Sequence, residues 1–265
     1  MSDKHLIYKS VNSLLIIGSD IDASFHRHHA FQISISLDQP FSFECEAVSG
    51  FFRGVIIGPD ISHSLSGING RQALILLDPE LNQAKNILKD KNFSQGFAEI
   101  DDVVLVRMVD YIELLLEQPR NIRQPIEELI AMMSDSSEVE VVEPRIAQII
   151  EYIASTEHKT ASVDELAQIV HLSSGRLAHL FKQEIGIPIR RYLLWQRLLD
   201  ACAYASTSTP NSQKRIAGMS LTAAAHRAGF TDASHFTRTF KSMFGIHPSN
   251  IFKHSQLITG NQRDI

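Results

Sequence analysis

Residues 228–245 read AGFTDASHFTRTFKSMFG, and this stretch contains the signals of two helices joined by a tight turn. Gly229 can adopt the left-handed conformation that ends a helix, and Thr231 can cap the next helix, with Asp232 near the positive end of its dipole. Four apolar residues recur at helical spacing, namely Phe236, Phe240, Met243 and Phe244. They form one stripe, and Gly245 closes the helix. Two short helices with a polar outer face predict a helix-turn-helix.

The same pattern occurs earlier in the chain. The segment RLAHLFKQEIGI (residues 176–187) aligns with HFTRTFKSMFGI (residues 235–246) at a constant offset of 59. The identical pairs are Phe181 and Phe240, Lys182 and Lys241, Gly186 and Gly245, and Ile187 and Ile246. Ala167 and Ala225 each precede the next capping hydroxyl, Ser173 or Thr231, by six residues. Since an unrelated bundle has no reason to repeat cap, stripe and closing glycine, we expect two helix-turn-helix motifs.

The second copy and the residues after it, AGFTDASHFTRTFKSMFGIHPSNIFK, closely resemble the signature at the end of AraC/XylS-type transcription regulators. The first copy, followed by GIPIRRYLLWQRLLDA, resembles the first motif and linking helix of that family. The resemblance implies a bipartite domain that binds double-stranded promoter DNA, with recognition helices in successive major-groove segments, ~34 Å apart. The segment at 206–220, STSTPNSQKRIAGMS, is longer than the family pattern.

The predicted DNA-facing residues lie off the apolar stripes of the two recognition helices. They are Gly175, Arg176, Ala178, His179 and Lys182 in the first, and Ser234, His235, Thr237, Arg238 and Lys241 in the second. Arg238 is the best base-reading candidate because a guanidinium can bond both guanine acceptors, and His179 occupies the equivalent position. Lys182 and Lys241 suit phosphate contacts. The alternative for each residue is a solvated side chain on a helix surface.

Charge divides the chain into two halves with different predicted partners. Of 265 residues, 44% are hydrophobic and 21% charged, which is typical of globular domains. Residues 1–144 carry 11 Lys+Arg against 22 Asp+Glu, whereas residues 145–265 carry 14 against 8. A basic second half favours a polyanionic partner. The acidic, aperiodic stretch before Pro144 predicts a linker. The predicted domains are residues 1–134, a linker at 135–144, a DNA-binding domain at 145–254 and a tail at 255–265.

The two halves differ in predicted secondary structure. Residues 11–77 contain short β-type runs split by Gly, Pro, Asn and Asp, which are typical of a small antiparallel sandwich or barrel. Helical patterns follow up to the linker, and the second half shows only helical patterns. We therefore predict an α+β multidomain chain, with a small amino-terminal β-barrel, appended helices and an all-α double helix-turn-helix.

Histidines mark a candidate site in the first half. The segment FHRHHAFQIS places His26 and His28 two residues apart on a predicted strand, with Gln32 four residues further, and His63 ends a later run. This pattern resembles the paired motifs of cupin barrels, in which histidines and a carboxylate ligate a metal, and regulators of this type often begin with a cupin-like sensing domain. Gln32 stands where the glutamate ligand is usual, and a neutral amide is the poorer ligand.

Several interpretations of these histidines stay open. A divalent metal such as zinc is one candidate ligand of the three imidazoles. The alternatives are histidines that line a small-molecule effector pocket, or exposed histidines in a loop. A metal-dependent cupin enzyme fused to a helical domain is the alternative function, and the missing carboxylate and the doubled motif argue against it. The favoured prediction is a non-enzymatic regulator whose first domain senses a small molecule or a metal.

The remaining expectations concern assembly and location. Helix 101–118 is apolar around much of its surface, which predicts a homodimer interface, with complete burial in one subunit as the alternative. Cys45 and Cys202 fit no metal or redox spacing and are expected to be buried thiols. The sequence shows no secretory leader and no apolar run long enough for a bilayer, so we predict a cytoplasmic protein without a membrane partner.

Overall fold

The computed structural model describes most of the chain. The described residues are 5–10, 13–19, 21, 23–66, 70–79, 81–90, 93, 95–119, 124–133, 143–156, 161–205, 207–208, 219–244, 247–252 and 255–257. Gly245, Ile246 and most of segment 206–220 lie outside them. So does the predicted linker, except for Glu143 and Pro144, which begin a helix.

The described residues of the amino-terminal part form ten strands. They are β1 (His5–Ser10), β2 (Ser13–Ser19), β3 (Ala23–His26), β4 (Phe31–Ser36), β5 (Phe41–Cys45), β6 (Val48–Phe52), β7 (Gly54–Ile57), β8 (His63–Ser66), β9 (Arg71–Leu77) and β10 (Phe97–Glu99). The β-type runs predicted within residues 11–77 correspond to β2, β4, β5, β7 and β9. Strands β2, β7 and β9 are buried on both faces, and therefore read as nearly continuous apolar segments.

The strands form two sheets. The larger has the order β10-β7-β4-β9-β2-β1, and the smaller has the order β3-β8-β5-β6, all antiparallel. No hydrogen-bonded ladder between described strands joins the two sheets. The predicted closed barrel is therefore not confirmed, and the amino-terminal half is a two-sheet β-rich region. Strand periodicity specifies which face is buried but not whether the edges of two sheets meet.

Three helices cover the larger sheet: α1 (Asn82–Asp90), α2 (Asp102–Glu117) and α3 (Pro125–Ala131). Helix α2 buries Leu105, Met108, Ile112 and Leu115 in a core that also contains Ile33, Ile75 and Leu77 of the sheet. Its opposite face exposes Val103 and Val106, which are 70% and 55% accessible. The alternative of complete burial within one subunit is therefore wrong.

Seven helices lie in the described residues of the second half, where helical patterns were predicted. They are α4 (Pro144–Ser155), α5 (Val163–Ile169), α6 (Ser174–Ile185), α7 (Ile189–Ala205), α8 (Leu221–Arg227), α9 (Ala233–Phe244) and α10 (Pro248–Phe252). Two short strands interrupt the all-helical expectation: β11 (Thr207–Ser208) and β12 (Ser255–Leu257). Strand β12 lies in the predicted tail and pairs in parallel with β1 and β11, which extends the larger sheet. Strands of two or three residues carry no periodicity, so the sequence did not indicate them.

The two helix-turn-helix motifs are α5–α6 and α8–α9. The turn of each contains one left-handed residue, His171 (φ 52°) in the first and Gly229 (φ 86°) in the second, which confirms the prediction for Gly229. Ser173 caps α6 through Arg176 N–H. Asp232 caps α9 by accepting from His235 N–H at 2.7 Å, so the prediction of Thr231 as the cap is wrong. The left-handed turn residues His171 and Gly229 are 58 positions apart, whereas equivalent residues of the two recognition helices are 59 positions apart. The second turn is therefore one residue longer.

The two motifs have different surroundings. The first has its own core, in which Leu177, Leu180 and Phe181 pack against α4 and α7. The second shares a core with the larger sheet, where the stripe of α9 and Trp195 of α7 lie with Ile16 and Leu76. Two ion pairs join the sheet region to α7: Arg191 with Asp78 at 2.7 Å, and Lys9 with Asp200 at 3.2 Å. The second recognition helix is therefore packed on the amino-terminal half.

Candidate functional site

The first recognition helix, α6, presents its predicted DNA-facing residues outward. Gly175, Arg176, His179 and Lys182 are exposed, and Ala178 is partly exposed. A Cβ at Gly175 would meet no atom within 4 Å, so packing within the protein does not require glycine there.

The second recognition helix, α9, has the same division. Its apolar stripe is buried, whereas Ser234, Arg238 and Lys241 are exposed, and His235 and Thr237 are partly exposed. Thr231 is not the cap, but its hydroxyl lies 3.2 Å from His235 Nδ1. The structure thus brings each predicted set together on one helix face. Their contacts with DNA stay predictions.

Helix α9 also meets the loop between β3 and β4. Two backbone hydrogen bonds join them: His29 N–H donates to Ser242 O at 3.3 Å, and Ala30 N–H donates to Met243 O at 3.2 Å. A cleft of about 310 Å³ opens beside these bonds. Its lining residues are His26, Arg27, Arg238, Lys241 and Ser242. The amino-terminal half therefore contributes to the surface around the second recognition helix.

His26, His28 and His63 converge at one end of this cleft. One nitrogen of each lies within 4.8 Å of the others, and the ring centroids are 4.4–5.3 Å apart. His26 ends β3 and pairs across the ladder with His63, which begins β8. The expectations that His28 lies on a strand and that His63 ends one are wrong, because His28 follows β3 in the loop. The grouping of the three side chains is nevertheless as predicted.

Backbone carbonyls fix which nitrogen of each imidazole carries the proton. The Nδ1 atoms of His26, His28 and His63 lie 2.7, 3.0 and 2.9 Å from the carbonyl oxygens of Ser24, Ala30 and Ile61. A carbonyl oxygen only accepts, so Nδ1 must donate in each case and Nε2 of the neutral ring carries the lone pair. His63 Nε2 is buried, with no hydrogen-bond partner among the described residues.

Burial keeps these rings neutral. It lowers the pKa of His28 to about 4 and that of His63 to about 3. Burial also lowers the pKa of His26, and the positive charge of Lys241 lowers it further. At neutral pH all three residues therefore present unprotonated imidazoles, the form that binds metal.

Gln32 borders the cluster. Its Oε1 lies 2.6 Å from His28 Nε2, and its Nε2 donates to Ser34 Oγ at 2.9 Å. Rotation of the Gln32 amide by 180° would turn its NH₂ group toward the lone pair of His28 Nε2. The Ser34 hydroxyl would then donate to Gln32 Oε1. The donor set of three neutral imidazoles beside an amide fits zinc, cobalt, nickel or copper ions and does not fit magnesium or calcium. A backbone carbonyl that accepts from the other ring nitrogen is typical of metal-ligating histidines.

Comparison with known proteins agrees with the doubled motif. A family model described as a helix-turn-helix domain matches residues 166–254. The chain is 24% identical to the probable transcriptional regulator LumQ of Photobacterium leiognathi over 87% of its own length and 92% of that protein. It is 34% identical to the arabinose operon regulatory protein of Escherichia coli, over 38% of its own length and 30% of that protein.

The chain therefore carries, at residues 166–254, a helix-turn-helix domain similar to those of AraC-type transcription regulators. Its match to the arabinose regulator covers less than a third of that protein, whereas its match to LumQ is nearly full length. Among solved structures, ToxT from Vibrio cholerae O395 aligns over 91% of this chain and 96% of its own, at 10% identity and a TM-score of 0.47.

Other basic residues of this chain lie beside the recognition helices and were not among the predicted residues. Arg190 and Arg197 of α7 line a cleft of about 790 Å³ with His179 and Lys182 of α6. They are seven residues apart on one helix, so helical periodicity could have grouped them. Arg27 was also missed, because only the fold brings it to α9. Within the described residues, no helix combines the length and the apolar character needed to cross a membrane.

Proposed function

We propose that this regulator reads promoter DNA with α6 and α9 in successive major-groove segments. The observation that carries the proposal is the repeated polar face, which lies outside a buried apolar stripe in both recognition helices. In structures of this kind the residues of the second helix contact base edges and the duplex backbone. Relatives named as regulators favour this function over the alternative of a metal-dependent cupin enzyme.

The two helices differ in the side chains they offer to bases. Arg238 is exposed on α9 and can bond the O6 and N7 acceptors of one guanine. His179 holds the equivalent position on α6 beside the small Ala178 and Gly175, so we expect weaker direct readout there. Lys182 and Lys241 contact phosphates, which orient the protein without reading sequence.

Sensing is assigned to the amino-terminal half. The proposed ligand is a small molecule or a divalent metal, and the buried histidine cluster supports this role because it lies beside the second recognition helix. A cupin-like architecture stays a proposal, supported by the two sheets and by the position of His26 and His63 on adjacent strands. A ligand changes DNA binding only if it binds two arrangements of the chain with different affinity.

A homodimer through α2 is the proposed assembly. The exposed face of α2 carries Val103, Val106 and Leu114, and an apolar face of this kind is commonly covered by a partner. A second copy of the chain can supply the same face, as two-fold interfaces require. Two DNA-binding units per assembly would also raise affinity for paired sites.

Fluorescence anisotropy of the full chain tests DNA reading directly. Arg238→Ala is expected to lose about 1–3 kcal/mol of discrimination at one base position, while its affinity for non-specific DNA changes little. His179→Ala, the matched change in α6, should affect a different position. If Arg238→Ala bound every sequence with the same affinity as wild type, the assignment of α9 as a base-reading helix would be refuted.

A further inference from the structure

The histidine cluster and the DNA-facing side of α9 lie next to each other. His26 belongs to both the cluster and the cleft that Arg238 and Lys241 line. The hydrogen bonds from His29 and Ala30 to the last turn of α9 hold the two surfaces in contact. Any charge placed on the cluster therefore lies close to the residues that would contact DNA.

The cleft is strongly cationic. Arg27, Arg238 and Lys241 are exposed around it, and none of its lining residues is acidic. A divalent ion on the three imidazoles would add two positive charges beside these cations, since the imidazoles themselves are neutral ligands. Like charges that face the same cleft repel each other even near the surface. Screening by salt is incomplete for charges within about one Debye length, roughly 8 Å.

We propose that His26, His28 and His63 bind a divalent transition-metal ion that is coupled electrostatically to Arg238 and Lys241, so that metal and DNA increase each other's affinity. The inference rests on the proposed use of α9 in DNA binding. In the absence of DNA, the two cations oppose metal binding. When phosphates neutralise them, that opposition falls, and an occupied cluster in turn adds positive charge beside the duplex.

Reciprocity makes the coupling measurable from either side. If DNA raises metal affinity by a given factor, metal must raise DNA affinity by the same factor. The same reasoning gives a test without DNA, because removal of the Lys241 charge should itself tighten metal binding. For a separation on the order of 10 Å and an effective dielectric constant of about 50, Coulomb's law predicts that removal of one like charge tightens the binding of a divalent ion roughly tenfold.

The experiment titrates the metal-free full chain with Co²⁺ alone and follows the visible d–d absorption. Wild type is expected to bind one ion per chain, and Lys241→Gln to bind it roughly tenfold more tightly. Lys182→Gln is the matched control, because it removes the same charge at the equivalent position of α6, which packs in a separate core. His26→Ala should lose the absorption, whereas His29→Ala, next to the cluster, should keep it.

The proposal fails if Co²⁺ does not bind, if His26→Ala binds as wild type does, or if Lys241→Gln and Lys182→Gln change the affinity equally. Specific DNA binding measured on the same preparation separates this failure from that of the proposed function. If the chain binds specific DNA with an affinity that Zn²⁺ does not change, the proposed function stands and the metal coupling is wrong. If the chain binds Co²⁺ as predicted but binds no specific DNA, the proposed function is wrong, and so is the coupling between metal and DNA binding.

Discussion

The ion pair between Arg191 and Asp78 gives a quantitative test of how the two halves are joined. Arg191 Nε lies 2.7 Å from Asp78 Oδ2, and the Asp78 side chain is 0% accessible, against 21% for Arg191. Replacement of Arg191 by Met removes the guanidinium and leaves a buried carboxylate without it. Breaking a buried pair from one side costs about 3–5 kcal/mol, and the partial exposure of Arg191 favours the lower figure.

A loss of about 3 kcal/mol would lower the melting temperature by roughly 6–12 °C in a domain of this size. Differential scanning calorimetry of Arg191→Met measures this shift. Lys9→Met is the control, because the Lys9–Asp200 pair also joins the sheet to α7 but has accessibilities of 31% and 14%. Its removal should cost no more than about 1 kcal/mol. A shift for Arg191→Met no larger than that for Lys9→Met would refute the reasoning about burial.

Two further predictions concern DNA and assembly. Lys182→Ala and Lys241→Ala should each weaken binding to all sequences alike and reduce the slope of log affinity against log salt by about one unit. If the slope is unchanged in one of these variants, the lysine replaced in it does not contact phosphate. Val106→Glu places a charge on the exposed face of α2 and should convert a dimer to a monomer in size-exclusion chromatography with light scattering. A wild-type monomer at micromolar concentration would contradict the dimer.

Local signals explain which parts of the fold the sequence predicted. The stripe of α9, the left-handed Gly229 and the helices of the second half depend on residues within a few positions of each other. The cap was misplaced by one residue, since Thr231 and Asp232 are both good caps and only the structure shows the longer second turn. Strand β12 was missed because its pairing with β1 joins residues about 250 positions apart.

The candidate site was predictable only in part. The spacing of His26 and His28 suggested a shared cluster, yet the sequence placed His28 on a strand that ends before it. The position of α9 against the β3–β4 loop could not be inferred, because it depends on a core shared by Phe240 and the larger sheet. Nothing local in the sequence therefore relates the histidines to Arg238 and Lys241.

Selection of binding sites from random duplex DNA by the full chain tests the central claim most directly. The account predicts enriched sequences with two conserved boxes about one helical turn apart, roughly 10 base pairs between their centres. The box read by α9 should contain a guanine whose preference disappears in Arg238→Ala. Enrichment of a single box that Arg238→Ala leaves unchanged, or no enrichment with and without Zn²⁺, would contradict it.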